Sequence, residues 1–375
     1  MNKIGIVFAM SIAMMAPAHA KKQVAPAMFQ QIVEEVVAQN AGIPGVVMAV
    51  SSPALGIEWS GAAGLLKHGE PTPLRVTDAF RVASVTKVYT AATVLRLMEG
   101  GHFSLFQPIK NLVPPKIGAI LESGGYDLDA ITIHQLLTHT SGIGNFAETD
   151  EYFDQVFSNL NRVWTPEEQV QFAVTFAKPI GKPGEKYEYS DTGYVVLGQI
   201  IEHVSGEPLH KAVADQLAFK KWRLNSTYFE KFQTPPTDER RAHQYRGEMD
   251  ITDADPSMDL YGGGGIVSTV GDLVKFVRPL LTGKMFEKDT TLTAGLVGQL
   301  PVTGEDPPPL LYRGKFGKRT CLDHGGFWGV QLIYCPDIDL ALALSMGQVD
   351  SKRDPIVARV AEIVEGIEAG TVGVK

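Results

Sequence analysis

Segments that read as β-strand lie toward the two ends of this 375-residue chain, and helical patterns fill the stretch between them. No other feature limits the fold as much, because a sheet assembled from both ends must carry the middle of the chain as an insertion. After Gly42-Ile43-Pro44, the apolar run 45–51 reads as a buried strand and 56–64 as its hairpin partner. Strand signals return at 320–324, 329–335 and 340–346. In between, 131–137, 166–177 and 194–204 carry apolar residues at helical spacing among loops rich in Pro and Gly. Helices are also predicted at 28–39, where Ile32, Val33, Val36 and Val37 share a face, and at about 355–366. The expected layout is a discontinuous α/β sheet domain over 21–100 and 256–375, with a mainly helical insertion over 101–255. A junction of that kind is a usual place for a small-molecule cleft. Gly262 to Gly265 begin the return to the sheet; no Gly-Lys-Ser/Thr follows, so they read as close backbone packing rather than a phosphate cradle.

Composition narrows the function. A chain that is 44% hydrophobic and 20% charged is not disordered, and a net charge of −8 without a basic stripe excludes a nucleic-acid binder. Residues 1–20 have the layout of a secretory signal peptide: Asn2-Lys3, an apolar run from Ile4 to Met15, then Ala18-His19-Ala20. That run is too short to span a bilayer, and no other apolar run reaches ~18 residues. An exported protein without a membrane span is expected, periplasmic or secreted; the alternative is a tethered N-terminal helix. Cys321 and Cys335 are the only cysteines and flank a hairpin predicted to centre on Trp328, which sets them face to face. An oxidising compartment allows a disulfide there. Two buried thiols are the other reading, and the strain of bridging directly across strands favours it.

One serine in the chain is followed three positions later by lysine: Ser84-Val85-Thr86-Lys87, at the start of an apolar helix that runs to about Glu99 and stops at Gly100-Gly101. Positions i and i+3 share a helical face, so the Lys87 amine is placed beside the Ser84 hydroxyl. Unsatisfied N–H groups at the helix start supply positive potential where an oxyanion would form. A lysine on so apolar a helix needs a partner or a task. Taken alone, the motif also fits an N-cap serine with a snorkelling lysine.

Two further groups follow in order: Tyr189-Ser190-Asp191, in a loop predicted to lead into the 194–204 helix, and His324-Gly325-Gly326 at the end of a predicted strand. With these three elements the chain resembles the serine β-lactamase and penicillin-recognising enzymes. The likeness is to their class C-like branch of D,D-carboxypeptidases, D-aminopeptidases and β-lactamase-fold esterases. Segments 136–143 and 263–269 also look like that family. The resemblance implies an α/β (α+β) fold with an antiparallel sheet flanked by helices and an inserted, mainly helical domain. It implies that Ser84 is acylated, that Lys87 and Tyr189 shuttle the proton, and that the N–H groups of Ser84 and Phe327 form the oxyanion hole. Asp191, His324, Gly325 and Gly326 would contact substrate. A phenol acidified by a neighbouring lysine cation would suit Tyr189 to base work.

Two departures bear on specificity. Asp191 stands where the family usually has Asn; an ionised carboxylate cannot donate a hydrogen bond to a substrate amide. His324 replaces the lysine of most β-lactamases, and a neutral imidazole attracts a carboxylate less than an ammonium does. The expected function is therefore an exported serine hydrolase acting on D-amino-acid peptides, as a D,D-carboxypeptidase does, or on small esters. The alternatives are a β-lactamase and, from another class, a penicillin-binding or sensor protein that is acylated without turnover. No serine has glycine two positions earlier, as an α/β-hydrolase requires, and His134 and His139 do not form a zinc-protease motif. No metal and no cofactor is expected; the partner is a small-molecule or peptide substrate, and the oligomeric state is left open.

Overall fold

The computed structural model describes residues 24–292, 311–349 and 351–375, so the leader expected at 1–20 lies outside the described residues. From the N-terminal side come α1 (Ala25–Gln39), the hairpin β1 (Gly45–Ser52) and β2 (Ile57–Gly64), the short β3 (Phe80–Arg81) and α2 (Thr86–Glu99). Helices α3 (Pro115–Ser123), α4 (Ile133–Leu137), α5 (Asp150–Ser158), α6 (Pro166–Phe176), α7 (Asp191–Ser205), α8 (Leu209–Gln216) and α9 (Phe219–Trp222) follow. Then come the two-residue strands β4 (Tyr228–Phe229), β5 (Tyr245–Arg246) and β6 (Met249–Asp250), then β7 (Ile266–Ser268) and α10 (Val270–Leu281). The chain closes with β8 (Tyr312–Phe316), β9 (Arg319–Gly326), β10 (Val330–Cys335), β11 (Leu340–Ser345) and α11 (Asp354–Glu368).

The main sheet has the order β2-β1-β11-β10-β9-β8, and every neighbouring pair is antiparallel. β1 and β11, from opposite ends of the chain, lie side by side in its interior. Their alternation is what buries both faces. Val46, Met48, Val50, Leu340, Leu342 and Leu344 pack toward α1 and α11, whereas Val47, Ala49, Ala341 and Ala343 join the core that holds α2 and α10. α2 is buried on nearly all sides and packs on α7 and α8, as an all-round apolar helix must.

Several local expectations shift. The α-helix begins at Thr86, and Ser84 sits just before it in a 3₁₀ turn, Ala83–Val85. α7 starts at Asp191, because the Ser190 hydroxyl caps it by accepting the Gly193 N–H at 3.1 Å. Sequence reading missed β8, a short edge strand with Arg and Lys, the composition that edges use to avoid further pairing. It also missed α10, although Val270, Leu273, Val274, Val277, Leu280 and Leu281 recur at helical spacing. The hairpin does centre on Trp328, since Tyr334 pairs with Leu322 and Val330 with Gly326. Cys321 and Cys335 face each other one step further on and are joined as a disulfide, with Cα atoms 4.5 Å apart. This corrects the preference for free thiols: the register brings the Cα atoms within bridging range, so the strand pair accepts the bond in place.

Candidate active site

Ser84 is delivered by a strained turn. Ala83 immediately before it has φ of +47°, a left-handed conformation that disfavours a residue with a Cβ by roughly 1–2 kcal/mol. From that turn Ser84 Oγ accepts a hydrogen bond from Lys87 Nζ at 3.1 Å. Lys87 has no exposed side-chain surface. Its ammonium is satisfied by three acceptors: Ser84 Oγ, the Gly263 carbonyl at 2.9 Å and Asp191 Oδ1 in a short ion pair. Gly263 belongs to the glycine run read as close packing. A Cβ on Gly262 would meet the Tyr194 carbonyl at 2.5 Å, and one on Gly264 the Asp259 carboxyl at 2.3 Å.

Tyr189 stands over the Lys87 amine, which lies 4.9 Å from its ring centre, and its hydroxyl is hydrogen-bonded to Ser84. Burial, and then the Asp191 charge, push its phenol well above the ordinary value. That is the reverse of the acidification expected. The Lys87 charge is already met by Asp191, so desolvation of the phenolate dominates. His139, placed by sequence in a family-like segment but given no role there beyond a rejected metal-ligand reading, grips this segment at three points. Its carbonyl accepts the Glu188 N–H at 2.8 Å, its Nδ1 accepts the Ser190 N–H at 3.1 Å, and its ring stacks on Tyr189 with centres 4.4 Å apart. Asn145, also unforeseen, accepts the Asp191 N–H at 3.1 Å and donates to Asp191 Oδ2 at 3.4 Å.

On the opposite wall, β9 runs past the serine turn. A Cβ on Gly326 would lie 2.4 Å from the Val82 carbonyl, so glycine there lets the strand approach Ser84. The Phe327 N–H follows, and neither it nor the Ser84 N–H donates to another group among the described residues. The Phe327 ring is exposed and stacks on Phe153 of α5 at 5.9 Å. His324 is buried rather than facing water. Its Nδ1 donates to the Gly325 carbonyl at 2.8 Å, which leaves Nε2 as a lone-pair acceptor without a partner. Burial, helped by the Lys87 charge, lowers its pKa to about 4. Ser84, Tyr189, Asp191, His324, Gly325, Gly326 and Phe327 all line one cavity of about 550 Å³. Asp259, absent from the sequence reading, lines it as well, and burial foremost raises its carboxyl to about 7. A hydroxyl beside a buried lysine, a phenol on that hydroxyl and two free N–H groups opposite are the parts an acyl-transfer site needs. Among the described residues no group of three or more His, Cys, Asp or Glu is placed to hold a metal ion.

Comparison with known proteins follows the same lines. D-alanyl-D-alanine-carboxypeptidase/endopeptidase AmpH of Escherichia coli (strain K12) is 25% identical over 225 residues, 60% of this chain and 54% of that protein. Esterase EstB of Burkholderia gladioli is 32% identical over 188 residues, 47% of this chain and 46% of EstB. The chain thus spans about half the length of the curated relatives it matches. A D-stereospecific amidohydrolase from Streptomyces sp. superposes with a TM-score of 0.73 at 26% identity, over 92% of this chain and 99% of that one. D-amino acid amidase from Ochrobactrum anthropi SV3 shares the fold, with a TM-score of 0.75 at 23% identity over 91% and 98% of the two chains. The profile described as Beta-lactamase matches residues 29–364, and with nearly all of the described chain inside that match, this protein belongs to the Beta-lactamase family.

Proposed function

We propose that this protein is a serine hydrolase that works through an acyl-enzyme on Ser84, directed at D-amino-acid peptides and related amides or at small esters. The observation that carries the reading is the buried Lys87 ammonium, held by Asp191 and the Gly263 carbonyl 3.1 Å from the Ser84 hydroxyl. Acylation joins Ser84 Oγ to the substrate carbonyl carbon and breaks the bond to the leaving group. An ammonium proton crosses from Lys87 to Asp191, and Lys87 then takes the Ser84 proton. Tyr189, a neutral phenol at rest, gives its proton to the leaving group and regains one from Lys87, which recovers its own from Asp191. Water reverses the sequence and frees Ser84. The N–H groups of Ser84 and Phe327 hold the oxyanion, a contribution worth ~10²–10³ in rate for one such donor.

A neutral His324 gives the cavity no cation at the place where most β-lactamases carry lysine, so efficient β-lactam turnover is not part of this reading. Intact-mass analysis after incubation with a fluorophosphonate and, separately, with a penicillin tests it. One fluorophosphonate adduct on the wild type, none on Ser84→Ala, and a penicillin adduct that clears slowly are expected. If neither reagent adds to the wild type, the acyl-enzyme reading fails and a non-catalytic binding role takes its place.

A further inference from the structure

The hairpin tip that carries the Phe327 N–H is gripped by a side chain that the acyl-transfer steps leave unused. Arg353 immediately precedes α11 and lines the cavity. Its Nη1 donates to the Val330 carbonyl at 2.6 Å and to the Gly326 carbonyl at 3.2 Å, which uses both protons of that nitrogen. Gly326 and Val330 pair across β9 and β10 where the turn begins, so the guanidinium straddles the neck of the hairpin. Neighbouring residues of a strand present their Cβ positions to opposite faces. A Cβ on Gly326 would meet the Val82 carbonyl at 2.4 Å, and one on Gly325 would meet Arg353 Nη1 at 2.9 Å. Two successive glycines thus let the strand lie between the serine turn and the guanidinium.

The Gly326 carbonyl and the Phe327 N–H belong to one peptide unit. In a planar trans peptide the two point in opposite directions, so a contact that fixes the oxygen also fixes the aim of the N–H. The Gly329 N–H donates to the same oxygen at 3.1 Å, but it lies within the turn and moves with it. Arg353 ties the oxygen to a different element, α11. A cation on the oxygen also polarises the peptide and strengthens its N–H as a donor. We infer that Arg353 is a positioning residue for the oxyanion hole, which sets the aim and donor strength of the Phe327 N–H without touching the substrate. The inference rests on the acyl-enzyme reading of Ser84 and deepens it.

Fluorophosphonate labelling followed over time and reagent concentration separates kinact from KI. Arg353→Met is expected to lower kinact at least about 10-fold, short of the ~10²–10³ that loss of a whole donor costs, and to leave KI unchanged. Arg353→Lys, which can still donate to a carbonyl, should recover part of the loss. Arg353→Gln reads the same constants if the Met variant does not fold. In protein carrying isotope-labelled phenylalanine, the Phe327 amide resonance, assigned with Phe327→Leu, should move in the Met or Gln variant. Labelling at the wild-type kinact, a loss carried by KI, or an unmoved Phe327 resonance would overturn the proposal. If fluorophosphonate does not add to the wild type, the hydrolase reading falls, and the Phe327 resonance alone decides whether Arg353 sets that peptide.

Discussion

Lys87 has no exposed side-chain surface, and an unpaired ammonium in that position would cost several kcal/mol. Each of its three partners therefore does structural work as well as any chemistry, and Asp191 in place of the family Asn supplies a full opposite charge. His139 illustrates the same economy with a neutral ring. Burial holds its pKa well below the usual histidine range, so it stays uncharged beside Lys87 and is free to accept the Ser190 N–H. His324 carries a measurable consequence. An unfolded histidine titrates near 6.5, whereas burial lowers this one to about 4 in the folded protein. Between those values the unfolded chain binds the extra proton, so stability falls as pH drops from about 6.5 to about 4 and this contribution levels off below that. The difference amounts to about 3 kcal/mol. Thermal unfolding followed across pH 4–7 should show a shallower acid loss for His324→Gln than for wild type; parallel curves would place the titration elsewhere.

At the scale of elements, the site depends on how closely β9 lies against the serine turn. Gly326 permits that contact, because a Cβ there would stand 2.4 Å from the Val82 carbonyl. Gly326→Ala must move the strand or the turn. The expected result is a loss of about 1–3 kcal/mol in stability, from overpacking, and a fluorophosphonate labelling rate at least tenfold lower, because the Phe327 N–H shifts away from Ser84. A variant that labels at the wild-type rate would remove the oxyanion role from Phe327. The disulfide between Cys321 and Cys335 ties β9 to β10 at the far end of the same hairpin, so the strand is fixed at its tail and pressed on the turn at its tip. α7 is the other fixed frame. Its N-terminus holds Asp191, with Ser190 as the cap and Asn145 on the backbone N–H.

Across the whole molecule, the sheet draws β1 and β2 from one side of the insertion and β8 to β11 from the other, and the cavity opens where the serine turn, the end of β9, α5 and the start of α7 meet. We propose export of the full chain through residues 1–20. Expression with that segment intact should yield a protein whose N-terminus, read by mass spectrometry, is Lys21; a chain retaining Met1 in the cytoplasm would refute it. Among the described residues no helix is long and apolar enough to cross a membrane. Much of this fold was legible in advance for a local reason. β1 and β11 are short, largely apolar runs buried on both faces, α2 is a mostly apolar helix that stops at Gly100-Gly101, and Ser84 and Lys87 are three residues apart, where backbone geometry alone sets them together. The order of the serine, tyrosine and histidine motifs identified the family. The polarity of the cavity was not legible. His139 and Asn145 reach Tyr189 and Asp191 from about 50 residues away, and the local sequence of Asn145 and Asp259 does not mark either as part of the site. Burial and packing decided that His324 is a neutral acceptor, that the Tyr189 phenol is not acidified and that the two cysteines meet within bonding range. The sequence by itself determined the chemistry that backbone spacing enforces; the tertiary structure decided charge and protonation, because those depend on neighbours brought together only by the fold.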